Sequence, residues 1–145
     1  MSETPAPYAT GPLAVRVSER QPRRDARGWL LKVLMLPELA GRTTFGEIYI
    51  TAAVPGAVKG NHYHRRTTEW FCVIRGRGRL VLRPMPSGQR EELLLDEAQP
   101  RVVEVPPGIA HAIQNVGEGP MHLLAYADLP YDPADPDTIP VALVE

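Results

Sequence analysis

The stretch Gly56-Ala57-Val58-Lys59-Gly60-Asn61-His62-Tyr63-His64-Arg65-Arg66-Thr67-Thr68-Glu69 decides how this chain is read. On an extended strand, side chains alternate between the two faces, so His62 and His64 send both imidazoles to one side. Arg65 to Thr68 then make a turn, and Glu69 opens the next strand, where it folds back beside the histidines. Farther along, Pro106-Pro107-Gly108 turns the chain before His111 enters another strand. Three imidazole nitrogens and one carboxylate oxygen are a donor set for a first-row divalent ion.

Around that stretch the chain reads as strands and turns. Its 145 residues are enough for one domain with its own core. They include 16 prolines and 12 glycines, spread between short apolar runs, which argues against a helix bundle. Strands rich in β-branched and aromatic residues are predicted over 29–36, 47–51, 69–74, 79–83, 92–95, 101–105, 110–116 and 121–127, with an earlier one at 13–17. Strands at this spacing, with no 3.6-residue period between them, give an all-β fold of the jelly-roll type.

Three zones are expected: a loosely held segment with a first strand over 1–28, a barrel over 29–128, and a proline-rich tail over 129–145 that packs on the barrel or a partner.

Charge and cysteine usage narrow the partners. Sixteen Lys and Arg against 17 Asp and Glu leave a net charge of -1, too little basic surface for a run of nucleic-acid phosphates. No apolar run approaches the roughly 20 residues of a membrane helix. The single cysteine, Cys72, forms no internal disulfide and reads as a small buried hydrophobe, and the N-terminus has no export-signal pattern. The expected setting is cytoplasmic.

The residues already quoted resemble the cupin superfamily, whose fold is a double-stranded β-helix, a jelly-roll barrel. The first cupin motif, G-x5-H-x-H-x4-E-x6-G, is met by Gly56, His62, His64, Glu69 and Gly76. The second, G-x5-P-x-G-x2-H-x3-N, is met by Pro106, Gly108, His111 and Asn115, with Pro100 in place of its leading glycine. Among cupins the likeness is greatest to the C-terminal domain of capsular-polysaccharide sugar-nucleotide reductase/epimerases, from about Gly46 to Thr138, including the tail Tyr131-Asp132-Pro133-Ala134-Asp135-Pro136-Asp137-Thr138. The resemblance implies a zinc-dependent epimerase acting beside the keto group of a nucleotide sugar. It carries over His62, Glu69 and His111 as ligands with His64 beside them; the 145 residues hold no counterpart of the dehydrogenase domain that precedes the cupin in those enzymes.

The chemistry expected of such a site is enolisation: removal of a proton next to a carbonyl, with a divalent ion, zinc or else iron, nickel or manganese, stabilising the charge. Tyr126, His122 and Lys59 are the candidate proton-transfer residues. His122 shares strand parity with Tyr126, whereas parity sets Lys59 and Tyr63 opposite the histidines unless a bulge intervenes. Arg65, Arg66 and Tyr63 are the candidate substrate contacts. A metal-assisted polyketide cyclase, an iron dioxygenase and a non-enzymatic sugar- or metal-binding module are the alternatives. A diphosphate calls for cations at the cavity mouth, a polyketide for a deep apolar pocket. The expected assembly is a homodimer.

Overall fold

The alternating and fully apolar runs of the sequence form two five-stranded antiparallel sheets in a computed structural model that describes residues 15–39, 41–42 and 44–145. The strands are β1 (Arg16–Glu19), β2 (Arg23–Asp25), β3 (Gly28–Leu30), β4 (Glu47–Ala53), β5 (Val58–Tyr63), β6 (Glu69–Arg75), β7 (Arg77–Pro84), β8 (Glu91–Asp96), β9 (Arg101–Val105), β10 (Ile109–Asn115), β11 (Met121–Ala127) and β12 (Ile139–Pro140). One sheet has the order β1-β9-β6-β11-β4 and the other β12-β5-β10-β7-β8; β2 and β3 form a separate hairpin. The expected jelly-roll architecture is the one observed. None of the described helices is long and apolar enough to cross a membrane.

Inward-facing side chains of both sheets, among them Phe71, Val73, Leu80, Leu82, Val103, Ile113, Leu123 and Ala125, make the main core. Burial of each large apolar side chain contributes about 1.5–3 kcal/mol. Both sheets are also covered on their outer faces. Trp70, Cys72, Val102 and Tyr126 lie beneath Leu31, Val33, Leu34 and Leu39. Val81, Ala110 and Ala112 pack with Leu143 and Val144 of the tail, alongside Val58 and Tyr63. Cys72 is therefore buried, but on the outer face of its sheet, and burial pushes its thiol up to about 11.

The strand predicted over 29–36 is a correction. Pairing stops at Leu30, and the chain continues without a ladder into a 3-10 turn at Leu36–Leu39. An apolar run reads the same whether it pairs in a sheet or lies over one, and this one lies over the outer face of the first sheet. The basic stretch 20–27, expected to be loosely held, contains a buried anchor. Arg20 donates to the Val33 carbonyl at 2.9 Å and pairs with Glu38, tying the covering segment to the sheet. β1 pairs with β9 at the edge of the first sheet, so strands of the barrel precede Trp29. The segment 1–12 and the first two residues of the strand predicted at 13–17 lie outside the described residues.

Candidate metal centre

His62 is the last residue but one of β5, His64 lies just beyond it, Glu69 opens β6, and His111 stands near the start of β10. β5 and β10 are neighbours, with His111 opposite His62 in register, while β6 belongs to the facing sheet. The four side chains converge so that one donor atom from each lies within 4.8 Å of every other. Glu69 Oε1 is 2.6 Å from His64 Nε2 and 3.5 Å from His111 Nε2. The His62 ring centroid lies 4.9 Å from that of His64 and 4.8 Å from that of His111.

The far nitrogens of two of these rings are fixed. His64 Nδ1 donates to the Asp137 carbonyl at 2.5 Å, and His111 Nδ1 to the Ile109 carbonyl at 3.1 Å. Each bond places the proton on Nδ1 and turns Nε2 toward the cluster, the second partner that ligating histidines ordinarily have. His111 Nε2 is buried and without a hydrogen-bond partner. An orphaned lone pair in a dry site is costly, and a cation at the cluster centre relieves it. The donor set fits a divalent ion on that ground.

The electrostatics agree. Burial opposes ionisation of Glu69, but the adjacent His111 and His64 side chains outweigh it and hold the carboxyl far below its ordinary range. Burial, with His111 and His64 nearby, lowers His62 to about 4, so its imidazole is neutral near pH 7. Burial lowers His64 too, but the hydrogen bonds to Glu69 and the Asp137 carbonyl prevail and the net direction is upward. The Tyr49 hydroxyl donates to Glu69 Oε2 at 2.7 Å, and burial together with that carboxylate raises it well above its usual value.

Among the described residues, two cavities that adjoin the cluster share His62 and Tyr49 in their walls. The larger, about 620 Å³, opens among Glu47, Tyr131, Asp132, Asp135 and Arg66. The smaller, about 270 Å³, has Phe71, Leu80, Ile113 and Leu123 in its lining, with Lys59 beside them.

Of the predicted proton-transfer residues, Lys59 alone reaches this cavity face. The register of β5 against β10 shifts between His111 and Ala112, with Gly60 and Asn61 at positive φ, 94° and 59°. That bulge puts Lys59 and His62 on the same cavity wall. Tyr126 and His122 are corrected. On β11 the inward row is Met121, Leu123 and Ala125, and Tyr126 packs outside against Trp70, its hydroxyl accepting from the Gly46 N–H at 3.1 Å. His122 has the parity of Tyr126, away from the inward row.

Tyr63 is corrected as well, since it packs into the outer cluster beneath the tail. Arg65 and Arg66 are exposed; Arg66 borders the larger cavity but pairs with Asp135 at 3.1 Å. The mouth thus carries more carboxylates than cations. Tyr49, Glu47 and Asp137 received no role from the sequence, because nothing local in it shows that the edge strand and the tail close around the cluster.

Residues 23–139 match the polysaccharide biosynthesis C-terminal domain family. The chain belongs to that family. A polysaccharide biosynthesis C-terminal domain is thus the unit in which the cupin barrel and its donor cluster occur here. The chain is 32% identical over 114 residues to the UDP-2-acetamido-2,6-beta-L-arabino-hexul-4-ose reductase of Pseudomonas aeruginosa, a match covering 79% of this chain and 29% of that one. It is 26% identical to CapF, a capsular polysaccharide assembling protein from Staphylococcus aureus, with a TM-score of 0.66 over 86% of this chain and 34% of that one. It therefore spans about a third of the length of these two relatives. NovW, a 4-keto-6-deoxy sugar epimerase from the novobiocin biosynthetic gene cluster of Streptomyces spheroides, shares the fold, with a TM-score of 0.77 at 22% identity over 92% of this chain and 73% of that one.

Proposed function

We propose that this domain is a metal-dependent epimerase or isomerase that works by enolisation next to the carbonyl of a keto nucleotide sugar, with one divalent ion, zinc, held by His62, His64, Glu69 and His111. The observation that carries the reading is the buried, partnerless Nε2 of His111 beside three other converging donors. Membership of a polysaccharide biosynthesis family and a relative that acts on a hexul-4-ose support the substrate class. A set of imidazoles and one carboxylate, without thiolate, suits zinc.

When bound, the ion supplies positive charge that stabilises the negative charge developing on the substrate oxygen. The remaining work belongs to the chain. Lys59 lines the same cavity wall as His62, which supports it as the residue that moves the proton. The C–H bond next to the carbonyl breaks, its electron pair becomes the new C=C bond, and the carbonyl π pair moves onto oxygen. Return of a proton from the opposite face gives the epimer; return to the former carbonyl carbon, with the proton of the α-hydroxyl passing to the former carbonyl oxygen, gives the isomer. Tyr131, exposed at the mouth of the larger cavity, offers a ring on which a sugar can stack.

The apolar lining of the smaller cavity favours one second reading, a polyketide cyclase that uses the same enolate chemistry. One experiment separates the two. Incubating zinc-loaded protein with 4-keto nucleotide sugars in deuterated water is expected to place deuterium next to the carbonyl, seen by NMR, and His62→Ala with His111→Ala is expected to abolish both the exchange and stoichiometric zinc. No incorporation across several such sugars would overturn the epimerase reading, and a full equivalent of zinc in the double variant would overturn the ligand assignment.

A further inference from the structure

The geometry points to Tyr49 as the positioning residue that makes Glu69 a ligand through one oxygen only. This rests on the ion-binding reading above and concerns how the one anionic donor is aimed.

The two carboxylate oxygens have different surroundings. Oε1 faces His64 Nε2 at 2.6 Å and His111 Nε2 at 3.5 Å, where the other donors converge. Oε2 accepts the Tyr49 hydroxyl at 2.7 Å. With Oε2 holding that bond, rotation of the carboxylate to chelate through both oxygens works against it. A hydrogen bond to a charged acceptor is roughly twice as strong as one between neutral groups, enough to bias the choice.

The sheet is built to allow the contact. Tyr49 on β4 and Glu69 on β6 are separated by β11, whose facing residues are Ala125, opposite Tyr49 and Phe71, and Ala127, opposite Glu47 and Glu69. Both alanines are buried, and their small side chains leave the Tyr49 ring a path over the middle strand. A larger residue at 125 would stand between the phenol and the carboxylate. Tyr49 also lies where the two cavities meet, so the same ring borders both.

The test is cobalt(II) binding to the full chain, read by visible absorption and by competition with a chelator. Wild type is expected to give the intense bands of a low-coordinate site. Tyr49→Phe is expected to weaken and shift those bands as Oε2 joins the ion, and to loosen cobalt about 10- to 100-fold, the usual effect of losing a group that orients a ligand. Tyr49→Met, which removes the hydroxyl with a different shape, is expected to do the same if the Phe variant does not fold. In a Glu69→Gln background the Tyr49→Phe change is expected to add no further loss.

An unaltered spectrum and affinity in both Tyr49 variants would overturn the role of Tyr49 and leave the metal site standing. Additive losses in the double variant would also overturn it, since Tyr49 would then act independently of Glu69. Wild type that binds no cobalt would overturn this inference together with the ion-binding reading.

Discussion

The Asp137 carboxylate accepts hydrogen bonds from the backbone N–H groups of Arg65, Arg66 and Thr67 and from the Thr67 hydroxyl, while its carbonyl receives His64 Nδ1–H. Burial would raise the carboxyl, but these bonds prevail and hold it below its ordinary 3.8. A depressed folded value means that the stabilisation is present in full above the unfolded value and is lost as pH falls through the folded one. Asp137→Ala is therefore expected to cost about 1–2 kcal/mol at pH 7. Urea titrations at several pH values are expected to show that gap closing below about pH 4; a gap independent of pH would contradict the assignment. At the same scale, Lys59→Gln is expected to slow deuterium exchange about 10²- to 10⁴-fold. Tyr126→Phe, which alters only the outer face, is expected to leave the exchange rate unchanged. The reverse ranking would remove Lys59 from the reaction.

The pairing of His62 and His64 on one face was legible in the sequence, but the extent of β5 and its bulge at Gly60 and Asn61 were not. Gly60 has φ +94°, and a Cβ there would come within 2.8 Å of the His111 carbonyl oxygen. Gly60→Ala is expected to cost about 1–3 kcal/mol of stability in thermal unfolding and to lower the bound metal per chain, because the bulge sets the position of His62 against His111. Retention of both would show that the backbone relaxes freely there. β11 shows a related limit. Alternation placed His122 and Tyr126 on one face correctly, yet a period of two does not say which face is inward when an outer covering buries the other. Tyr126 is buried on the outer face beneath Leu31, Val33, Leu34 and Leu39, contributed by a segment far away in the chain.

Across the molecule, the two sheets differ in how their edges are protected. β5 is covered by β12, whereas β4, among the described residues, pairs only with β11. Its exposed face carries Ile48 and Ile50, 58% and 62% exposed, with no lysine or proline in the strand to discourage pairing. We propose that a second copy pairs there, since antiparallel pairing of a strand with its own copy satisfies a two-fold axis. Light scattering at micromolar protein is expected to give twice the 16.0 kDa chain mass, and Ile50→Lys to shift it toward one chain. A monomeric wild type would sink the homodimer.

The sequence by itself determined the all-β class and which four side chains, His62, His64, Glu69 and His111, would meet, because strand alternation and motif spacing are local properties of the text. Only the tertiary structure decided which faces are inward, that Lys59 shares the cluster's cavity, that Tyr126 does not, and that Tyr49 and Asp137 buttress the site. Those outcomes depend on a backbone bulge, on coverings contributed by distant segments, and on small residues in an intervening strand. Each is a long-range packing relation that no period in a single stretch encodes.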